Sequence, residues 1–269
     1  MLRLVQGIVP LVRDDPDAPE GCAGLRELGG APLICRAVQF LARSGCISHV
    51  VVPVPSAVAG RVGEVLAACD GVEVSVLAVP GTDLGVAVLA ALGDAMPGDG
   101  TVVLHDALHP LAPVALVPAV LDRLAAVGDG DVACCPEVAF VTKVTYHTQG
   151  GSPVAAGVVP VAPVTDTLKW IDDAGVVTGT ADRDAYRLAG SPQAYRVAAL
   201  RAALVGAGRA AARVAGPDDV PDVVRRAGGV LLTVPARAGS FRVTSADDVL
   251  LAEVMLGIAQ TRRVDHGSR

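Results

Sequence analysis

The chain has 269 residues, of which 52% are hydrophobic but only 3% aromatic, and its formal net charge at pH 7 is −6. This length and composition suit one large domain with an aliphatic core. We expect a single domain over residues 1–260, followed by a flexible tail at 261–269. The negative charge and the lack of a basic run disfavour nucleic acid as the main partner, because phosphate backbones are bound by clustered lysine and arginine.

Two further features bear on location and redox state. Residues 1–15 hold only a short apolar run before a charge cluster, too short for a membrane span and without a signal-peptide cleavage site. The six cysteines show neither a CxxC pair nor a His/Cys metal-ligand spacing. They are interpreted as reduced, small core residues, which predicts a cytoplasmic protein with no membrane partner.

Short apolar segments alternate with amphipathic ones along the chain. Strands are predicted at 4–12, 49–54, 72–79, 101–105, 131–135 and 229–235. Helices are predicted at 32–44, 56–69, 84–95, 113–126, 194–206 and 216–227. A last helix at about 245–260 would have Thr244 or Ser245 as its N-cap. This order predicts an α/β fold with a mostly parallel, twisted sheet flanked by helices.

Two segments interrupt the alternation. A Gln-Gly-Gly turn between β-prone runs predicts an extra hairpin at about 139–156. Segment 163–196 is interpreted as a hairpin, a polar turn and a helix start, and it concentrates the polar side chains Thr167, Lys169, Arg183 and Gln193. Because ligands bind beyond the carboxyl ends of strands in such sheets, residues that follow strands are the candidate site residues.

Several phrases resemble one family in order and spacing. VVLHDALHPLAP (102–113) is similar to the strand-end His-Asp-Ala-Ala-Arg-Pro motif of the 2-C-methyl-D-erythritol 4-phosphate cytidylyltransferases. PVTDTLKW, TADRDAYR, SPQAYR and GSFRVTSADDVLLAEVML follow as that family has them, and ELGGAPLICRAV resembles the start of its first helix. The resemblance covers nearly the whole chain apart from the extra hairpin and the tail.

The resemblance implies a fold and a reaction. The fold is a Rossmann-like nucleotidyltransferase fold with a protruding β-arm, at about 165–187 here, through which the family forms homodimers. The reaction couples CTP to a small phosphorylated polyol, 2-C-methyl-D-erythritol 4-phosphate, with Mg²⁺, and releases pyrophosphate in non-mevalonate isoprenoid synthesis.

It also implies roles for residues on the nucleotide side. Asp106 matches the acid that serves the Mg²⁺–CTP site, and a single carboxylate suits a metal held largely by water and phosphate. Arg242 occupies the position of a lysine on the α-phosphate, while Gly81 and Ala107 fall in nucleotide-binding segments. From the residues alone, Asp106 could instead bond the next helix's N-terminus, and Arg242 could be a surface arginine.

On the acceptor side, Thr167 and Arg183 match arm residues that reach the methylerythritol phosphate in the neighbouring subunit's site. His109 stands where the family has an arginine directed at the substrate. From the residues alone, Arg183 could equally form hairpin ion pairs with Asp166 and Asp182, which contribute little when exposed.

The chain departs from the family at its first loop and at its base-reading loop. Residues 10–20 lack the family's loop glycines and carry four acids, the family's lysine falls near Ala23, and Arg13 is the candidate cation. Leu84 and Ala87 replace an arginine and a serine that read cytosine. Because an acidic loop repels a triphosphate, two hypotheses stand: a cytidylyltransferase with weakened activity, and a non-catalytic dimeric paralogue that has lost CTP binding.

Overall fold

A computed structural model describes residues 5–12, 15–81, 83–93, 96–127, 155–207, 219–236 and 241–266, with only the backbone for 258–266. Arg13, the predicted strand at 131–135 and residues 139–154 of the predicted extra hairpin lie outside the described residues. The last two residues of that predicted hairpin, 155–156, begin a long strand of the main sheet. The final helix continues to His266, beyond its predicted end.

The elements alternate much as the apolar pattern predicts. The strands are β1 Val5–Ile8, β2 Glu27–Leu28, β3 Ala31–Pro32, β4 His49–Pro55, β5 Glu73–Val79, β6 Thr101–Leu104, β7 Ala155–Pro163, β8 Lys169–Ile171, β9 Val177–Thr180, β10 Arg187–Ala189, β11 Gln193–Arg196 and β12 Val230–Pro235. The helices are α1 Leu33–Arg43, α2 Ala59–Leu66, α3 Leu84–Leu92, α4 Leu116–Ala126, α5 Val197–Ala207, α6 Val220–Arg226 and α7 Ala246–His266.

The main sheet has the order β10-β7-β11-β6-β1-β4-β5, and β12 pairs with β7. The pairings β1–β4, β1–β6, β4–β5 and β7–β12 are parallel, whereas β11 runs antiparallel to β6 and β7, and β10 antiparallel to β7. The mostly parallel α/β sheet that the sequence predicts is therefore confirmed. β1 and β6 lie side by side, so their carboxyl ends meet at one edge.

Residues 194–196 were predicted as a helix start, and this prediction is wrong. They belong to strand β11, and α5 begins only at Val197. Ala194 and Tyr195 are both fully buried but pack into different clusters, as the alternation of side chains along a strand requires. Residues 197–207 do form helix α5, as their helix-period apolar positions predict. For residues 194–196, burial on both faces of the sheet determines the conformation instead.

The core is almost entirely aliphatic and lies on both faces of the sheet. One cluster packs α1 and α2 around residues such as Val52 and Val103, and another packs α3 and α5 around Ile8 and Tyr195. Among the described residues, Cys22, Cys35, Cys46 and Cys69 form no disulfide, which agrees with the prediction of reduced cysteines for these four. None of the helices in the described ranges is long and apolar enough to cross a membrane.

The predicted arm is a small hairpin apart from the main sheet. Among the described strands, β8 and β9 pair only with each other. A turn built on Asp172 connects them, because Asp172 Oδ1 accepts hydrogen bonds from Ala174 N and Val176 N. Large apolar side chains on this hairpin, including Trp170 and Ile171, are more than half exposed. The arm therefore projects from the sheet, as the resemblance implies.

Candidate functional site

Asp106 is the second residue after β6 and lies at the edge where β1 and β6 end. Its side chain is 5% exposed. Oδ1 accepts a hydrogen bond from Leu108 N (3.0 Å), and the Asp106 backbone N–H donates to Ser191 Oγ (2.9 Å). The first of these bonds closes a tight turn rather than capping a helix, since α4 begins only at Leu116. The other carboxylate oxygen, Oδ2, contacts different residues.

Arg242 and His109 are those residues. Arg242 Nε donates to Asp106 Oδ2 (2.9 Å), and His109 Nδ1 lies 3.4 Å from the same oxygen. Burial by itself would raise the pKa of Asp106, but His109 and the Arg242 guanidinium outweigh it and hold that pKa well below its ordinary value. Asp106 is therefore a buried carboxylate that stays ionised at neutral pH.

Arg242 is held in place from both sides along the chain. Val243 N donates to Leu108 O (2.7 Å), which ties the segment to the turn after Asp106. Beyond it, Ser245 Oγ accepts from Asp248 N, and Asp248 Oδ2 accepts from Ser245 N, so the predicted N-cap Ser245 forms a reciprocal capping box. Arg242 is thus not a free surface arginine, although a third of its side chain remains exposed.

The capping box gives a pH-dependent prediction. Hydrogen bonds, chiefly from Thr244 N, lower the pKa of Asp248 to about 2 from an ordinary value of 3.8. A carboxylate with a lowered folded-state pKa contributes stability above its unfolded pKa, and this contribution disappears as the pH falls through the folded value. We expect wild type to be more stable than Asp248→Ala at pH 6, and this difference to shrink between about pH 4 and about pH 2.

Urea unfolding across this pH range would measure that difference. Asp247→Ala is the matched control, because it removes a neighbouring carboxylate from the same helical turn without removing the box. A difference between wild type and Asp248→Ala that stays constant down to pH 2 would contradict the assignment.

A narrow, nearly closed cleft with a volume of about 10 Å³ lies beside Asp106. Its lining comes from the ends of β1 and β6, the first loop, the start of α3 and the segment before α7. The lining residues are Pro10, Leu11, Val12, Gly24, Leu84, Asp106, Ala107, Leu108 and Arg242. Three predicted nucleotide-side residues, Asp106, Ala107 and Arg242, are therefore brought together at the edge where open α/β sheets bind ligands.

The described part of the first loop, residues 10–12 and 15–26, closes against this cleft instead of forming an open cradle of N–H groups. Its main-chain N–H groups at positions 15, 17, 18, 21, 22, 25 and 26 donate within the loop. Gly24 packs so closely that a Cβ there would lie 2.6 Å from Leu11 Cδ1 and 3.5 Å from Ala107 Cβ. An ion pair and hydrogen bond between Arg26 and Asp15 joins the two ends of the loop.

The base-reading positions are apolar and buried. Leu84 and Ala87 are each 1% exposed in the core around α3, and Leu84 forms part of the cleft wall. Gly81 lies two residues beyond the end of β5, is exposed, and adopts a left-handed φ of 83°, but it is not among the described residues that line the cleft. Asp83 N-caps α3 by accepting from Val86 N.

The acceptor-side predictions divide between two places. His109 is 3% exposed and lies against Asp106, and Asp106 Oδ2 is the polar atom closest to its Nδ1 among the described contacts. Thr167 and Arg183 are exposed on the arm and do not contribute to the cleft as the described part of this chain forms it. Arg183 donates to Thr165 O (2.6 Å) rather than pairing with Asp166 or Asp182 in the described contacts.

Two residues of the site were missed by the sequence reasoning. Ser191 belongs to the SPQAYR phrase, yet its contact with Asp106 joins residues 85 positions apart, which no local pattern reveals. Arg26 forms an ion pair with Asp15 within the first loop, whereas the sequence predicts Arg13 as the cation there. A basic residue at each end of an acidic loop was the signal that could have identified Arg26.

Comparisons with known proteins agree with the motifs. The family model described as IspD: 2-C-methyl-D-erythritol 4-phosphate cytidylyltransferase matches residues 124–258. The 2-C-methyl-D-erythritol 4-phosphate cytidylyltransferase of Saccharopolyspora erythraea is 33% identical over 233 residues, which cover 85% of this chain and 88% of the relative. That of Streptomyces coelicolor is 33% identical over 267 residues, which cover 95% of this chain and 83% of the relative.

Solved structures agree in fold. The 4-diphosphocytidyl-2C-methyl-D-erythritol synthase of Anaerococcus prevotii has a TM-score of 0.68 at 16% identity and covers 95% of this chain and 99% of its own. The 2-C-methyl-D-erythritol 4-phosphate cytidylyltransferase of Thermus thermophilus has a TM-score of 0.62 at 21% identity, covering 95% and 98%. The family match and the sequence identity to curated relatives establish that this chain belongs to the 2-C-methyl-D-erythritol 4-phosphate cytidylyltransferase family.

Proposed function

We propose that this protein transfers the cytidylyl group of CTP to 2-C-methyl-D-erythritol 4-phosphate and releases pyrophosphate. The observation that carries the proposal is the buried, ionised Asp106 bonded to Arg242 in a cleft at the carboxyl ends of β1 and β6. A cleft at that edge is where such sheets bind nucleotides. Relatives that share 33% identity over most of their length carry the name of this enzyme, and the comparisons offer no support for a non-catalytic paralogue.

The reaction requires a fixed cation beside the phosphates, and the cleft contains one. An oxygen of the acceptor's phosphate forms a bond to the α-phosphorus of CTP, while the bond from that phosphorus to the bridging oxygen breaks and pyrophosphate leaves. Negative charge grows on the phosphoryl oxygens, and a fixed cation beside them lowers the barrier. Arg242 is the cation in the cleft, and its bond to Asp106 holds the guanidinium in place before substrate arrives.

The donor set around Asp106 fits Mg²⁺ bound mostly through substrate. Mg²⁺ in nucleotide enzymes commonly takes one or two carboxylates and completes its octahedron with phosphate oxygens and water. Asp106 offers one ionised carboxylate at the cleft wall, and each of its oxygens has lone pairs beyond the bonds to Leu108 N and Arg242 Nε. When bound there, Mg²⁺ would neutralise charge on the phosphates of CTP, and Asp106 would be the protein residue that holds it.

The arm suits a homodimer in which each subunit completes its partner's acceptor site. Trp170, Ile171 and Val177 are exposed on the hairpin, and apolar side chains of this size gain free energy when a second subunit covers them. Thr167 and Arg183 lie on the same arm and stay exposed to solvent in one chain. An arginine presented this way suits a bidentate contact with the acceptor's phosphate.

Two measurements test the proposed function. Titration calorimetry with CTP and Mg²⁺ should show saturable binding, and a coupled assay should show pyrophosphate release that requires 2-C-methyl-D-erythritol 4-phosphate. ATP and glycerol 3-phosphate serve as the mismatched nucleotide and acceptor. Absence of binding at millimolar CTP would contradict the proposal and leave the non-catalytic paralogue, while equal release with the mismatched substrates would contradict the assigned specificity.

The closed first loop predicts a gain of activity on loosening it. Asp15→Asn removes the ion pair with Arg26 and one negative charge, but its Oδ1 can still accept the bond from Asp17 N. If CTP binds only when the loop is open, its apparent affinity is reduced in proportion to the fraction of molecules with an open loop. Loosening the loop raises that fraction, so we expect the KM for CTP to fall about three- to ten-fold. Steady-state kinetics at varied CTP would measure this change.

Asp17→Asn is the matched control, since it makes the same charge change in the same loop without touching the Asp15–Arg26 pair. An equal fall in KM in both variants would assign the effect to loop charge alone. An unchanged KM in Asp15→Asn would show that this ion pair does not restrain the loop.

A further inference from the structure

A buried chain of contacts reaches Asp106 from behind the cleft. His105, the residue before it, is 1% exposed, and its Nδ1 lies 2.8 Å from Ser191 Oγ. The same hydroxyl oxygen accepts the bond from the Asp106 backbone N–H at 2.9 Å. On its face, the imidazole stacks on Phe40 of α1, with ring centroids 4.3 Å apart and an angle of 22° between the planes. Neither His105 nor Ser191 lines the cleft as it is described.

The donors and acceptors in this chain can be assigned. A serine hydroxyl has one proton to donate and two lone pairs. Ser191 Oγ accepts the N–H of Asp106, and we assign its own proton to the hydrogen bond with His105 Nδ1, which requires the tautomer protonated on Nε2. In that tautomer Ser191 Oγ accepts from the Asp106 amide and donates to His105 Nδ1, which connects the imidazole to the main chain of Asp106.

The series of hydrogen bonds from His105 through Ser191 to Asp106 also links two parts of the fold. Asp106 follows β6, while Ser191 lies between β10 and β11, the strands that return from the arm. Gly190 N donates to Pro160 O, and Gln193 Nε2 donates to Gly190 O, so the main chain around Ser191 is itself anchored to β7 and β11. The Ser191 hydroxyl therefore fixes the main chain of Asp106 to the anchored segment between β10 and β11. Buried hydrogen-bonding groups of this kind orient functional side chains.

We propose that His105 is a positioning residue for the nucleotidyl transfer, acting through Ser191 on the main chain of Asp106. The proposal rests on the proposed function. In the proposed reaction, His105 contacts neither the substrate nor the metal. It orients the Ser191 hydroxyl, and that hydroxyl in turn fixes the Asp106 amide, so that the carboxylate keeps its direction towards Arg242 and the cleft.

Four variants test the chain in pairs. His105→Phe keeps a ring on Phe40 but removes Nδ1, and Ser191→Ala removes the hydroxyl. His105→Asn and Ser191→Thr are the conservative partners, because each retains the polar atom that the chain needs. We expect the first two to lower kcat at least ten-fold with the KM for CTP changed less than three-fold, and the conservative variants to stay within a few-fold of wild type.

A readout independent of turnover separates this proposal from the proposed function. In amide hydrogen exchange by NMR, protection of the Asp106 amide should fall in Ser191→Ala and His105→Phe and return in the conservative variants. Long-range ¹⁵N–¹H spectra should show His105 as the neutral Nε2–H tautomer in wild type. A wild type without turnover would overturn the proposed function, whereas unchanged Asp106 protection or unchanged kcat in Ser191→Ala and His105→Phe would overturn the role of His105.

Discussion

Asp106→Asn is expected to lower kcat for pyrophosphate release by about 100- to 1000-fold, the range found when one fixed electrostatic group is removed from an active site. Asparagine keeps the shape of aspartate, and its oxygen can still accept the bond from Leu108 N. It loses the negative charge, however, and its amide would place a donor against Arg242 Nε. Both the carboxylate proposed to hold the metal and the anchor of the guanidinium are therefore lost together.

The matched control is Asp222→Asn. Asp222 is also paired with arginines, Arg225 and Arg226, but on the exposed surface of α6. The same change of charge there should leave kcat unaltered, because exposed ion pairs contribute little and this one is remote from the cleft. Measurements of kcat and circular dichroism on both variants separate lost chemistry from lost folding. An Asp106→Asn enzyme with more than a third of wild-type kcat would contradict the assigned site.

Gly157→Ala is expected to destabilise the fold by about 3 kcal/mol, at the upper end of what one extra methyl group costs in a well-packed core. A Cβ at this position would lie 2.5 Å from Tyr195 Cδ1 and 2.7 Å from Ala194 O. The tyrosine ring is fully buried, and its hydroxyl donates to Gln193 Oε1 at 2.6 Å, so the ring is held at both ends. The second close atom is backbone of the paired strand, which moves only if the sheet moves.

Gly63→Ala provides the control of opposite sign. Gly63 lies inside α2, and a Cβ there would meet nothing within 4 Å. Alanine in a helix interior is favoured over glycine by about 0.5–1 kcal/mol, so this variant should be slightly more stable than wild type. Urea unfolding followed by circular dichroism gives both values. Equal stability of Gly157→Ala and wild type would show that the β7–β11 contact is looser than its distances indicate.

The residues of the candidate site that the sequence could predict are those whose position is set by one strand or one helix. Asp106 directly follows a predicted strand, and Ser245 precedes a helix with acids in its first turn, so local patterns identified both. Arg242 was identified through the family resemblance, because it occupies the position of a lysine in the phrase GSFRVTSADDVLLAEVML. In each case the residue's neighbours in sequence are also its structural context.

Prediction failed where the context comes from elsewhere in the chain. Residues 194–196 carry helix-compatible side chains, but pairing with β6 and β7 makes them a strand. Ser191 contacts Asp106 across 85 positions, and Arg26 pairs with Asp15 across 11 positions of a loop whose acidic composition does not reveal this partner. Tertiary packing decides such cases, because burial and long-range hydrogen bonds outweigh the small preferences that local sequence expresses.

The amino-acid sequence by itself determined the α/β class, the order of most strands and helices, the family and the acid at the end of β6. These properties follow from periodicity, capping and motif spacing, which act over a few residues at a time. Only the tertiary structure decided that the first loop closes over the cleft, that the base-reading positions pack into the core, and that His105 and Ser191 stand behind Asp106. These depend on which distant segments share one buried space, and side-chain volume and hydrogen-bond satisfaction in that space select a single arrangement.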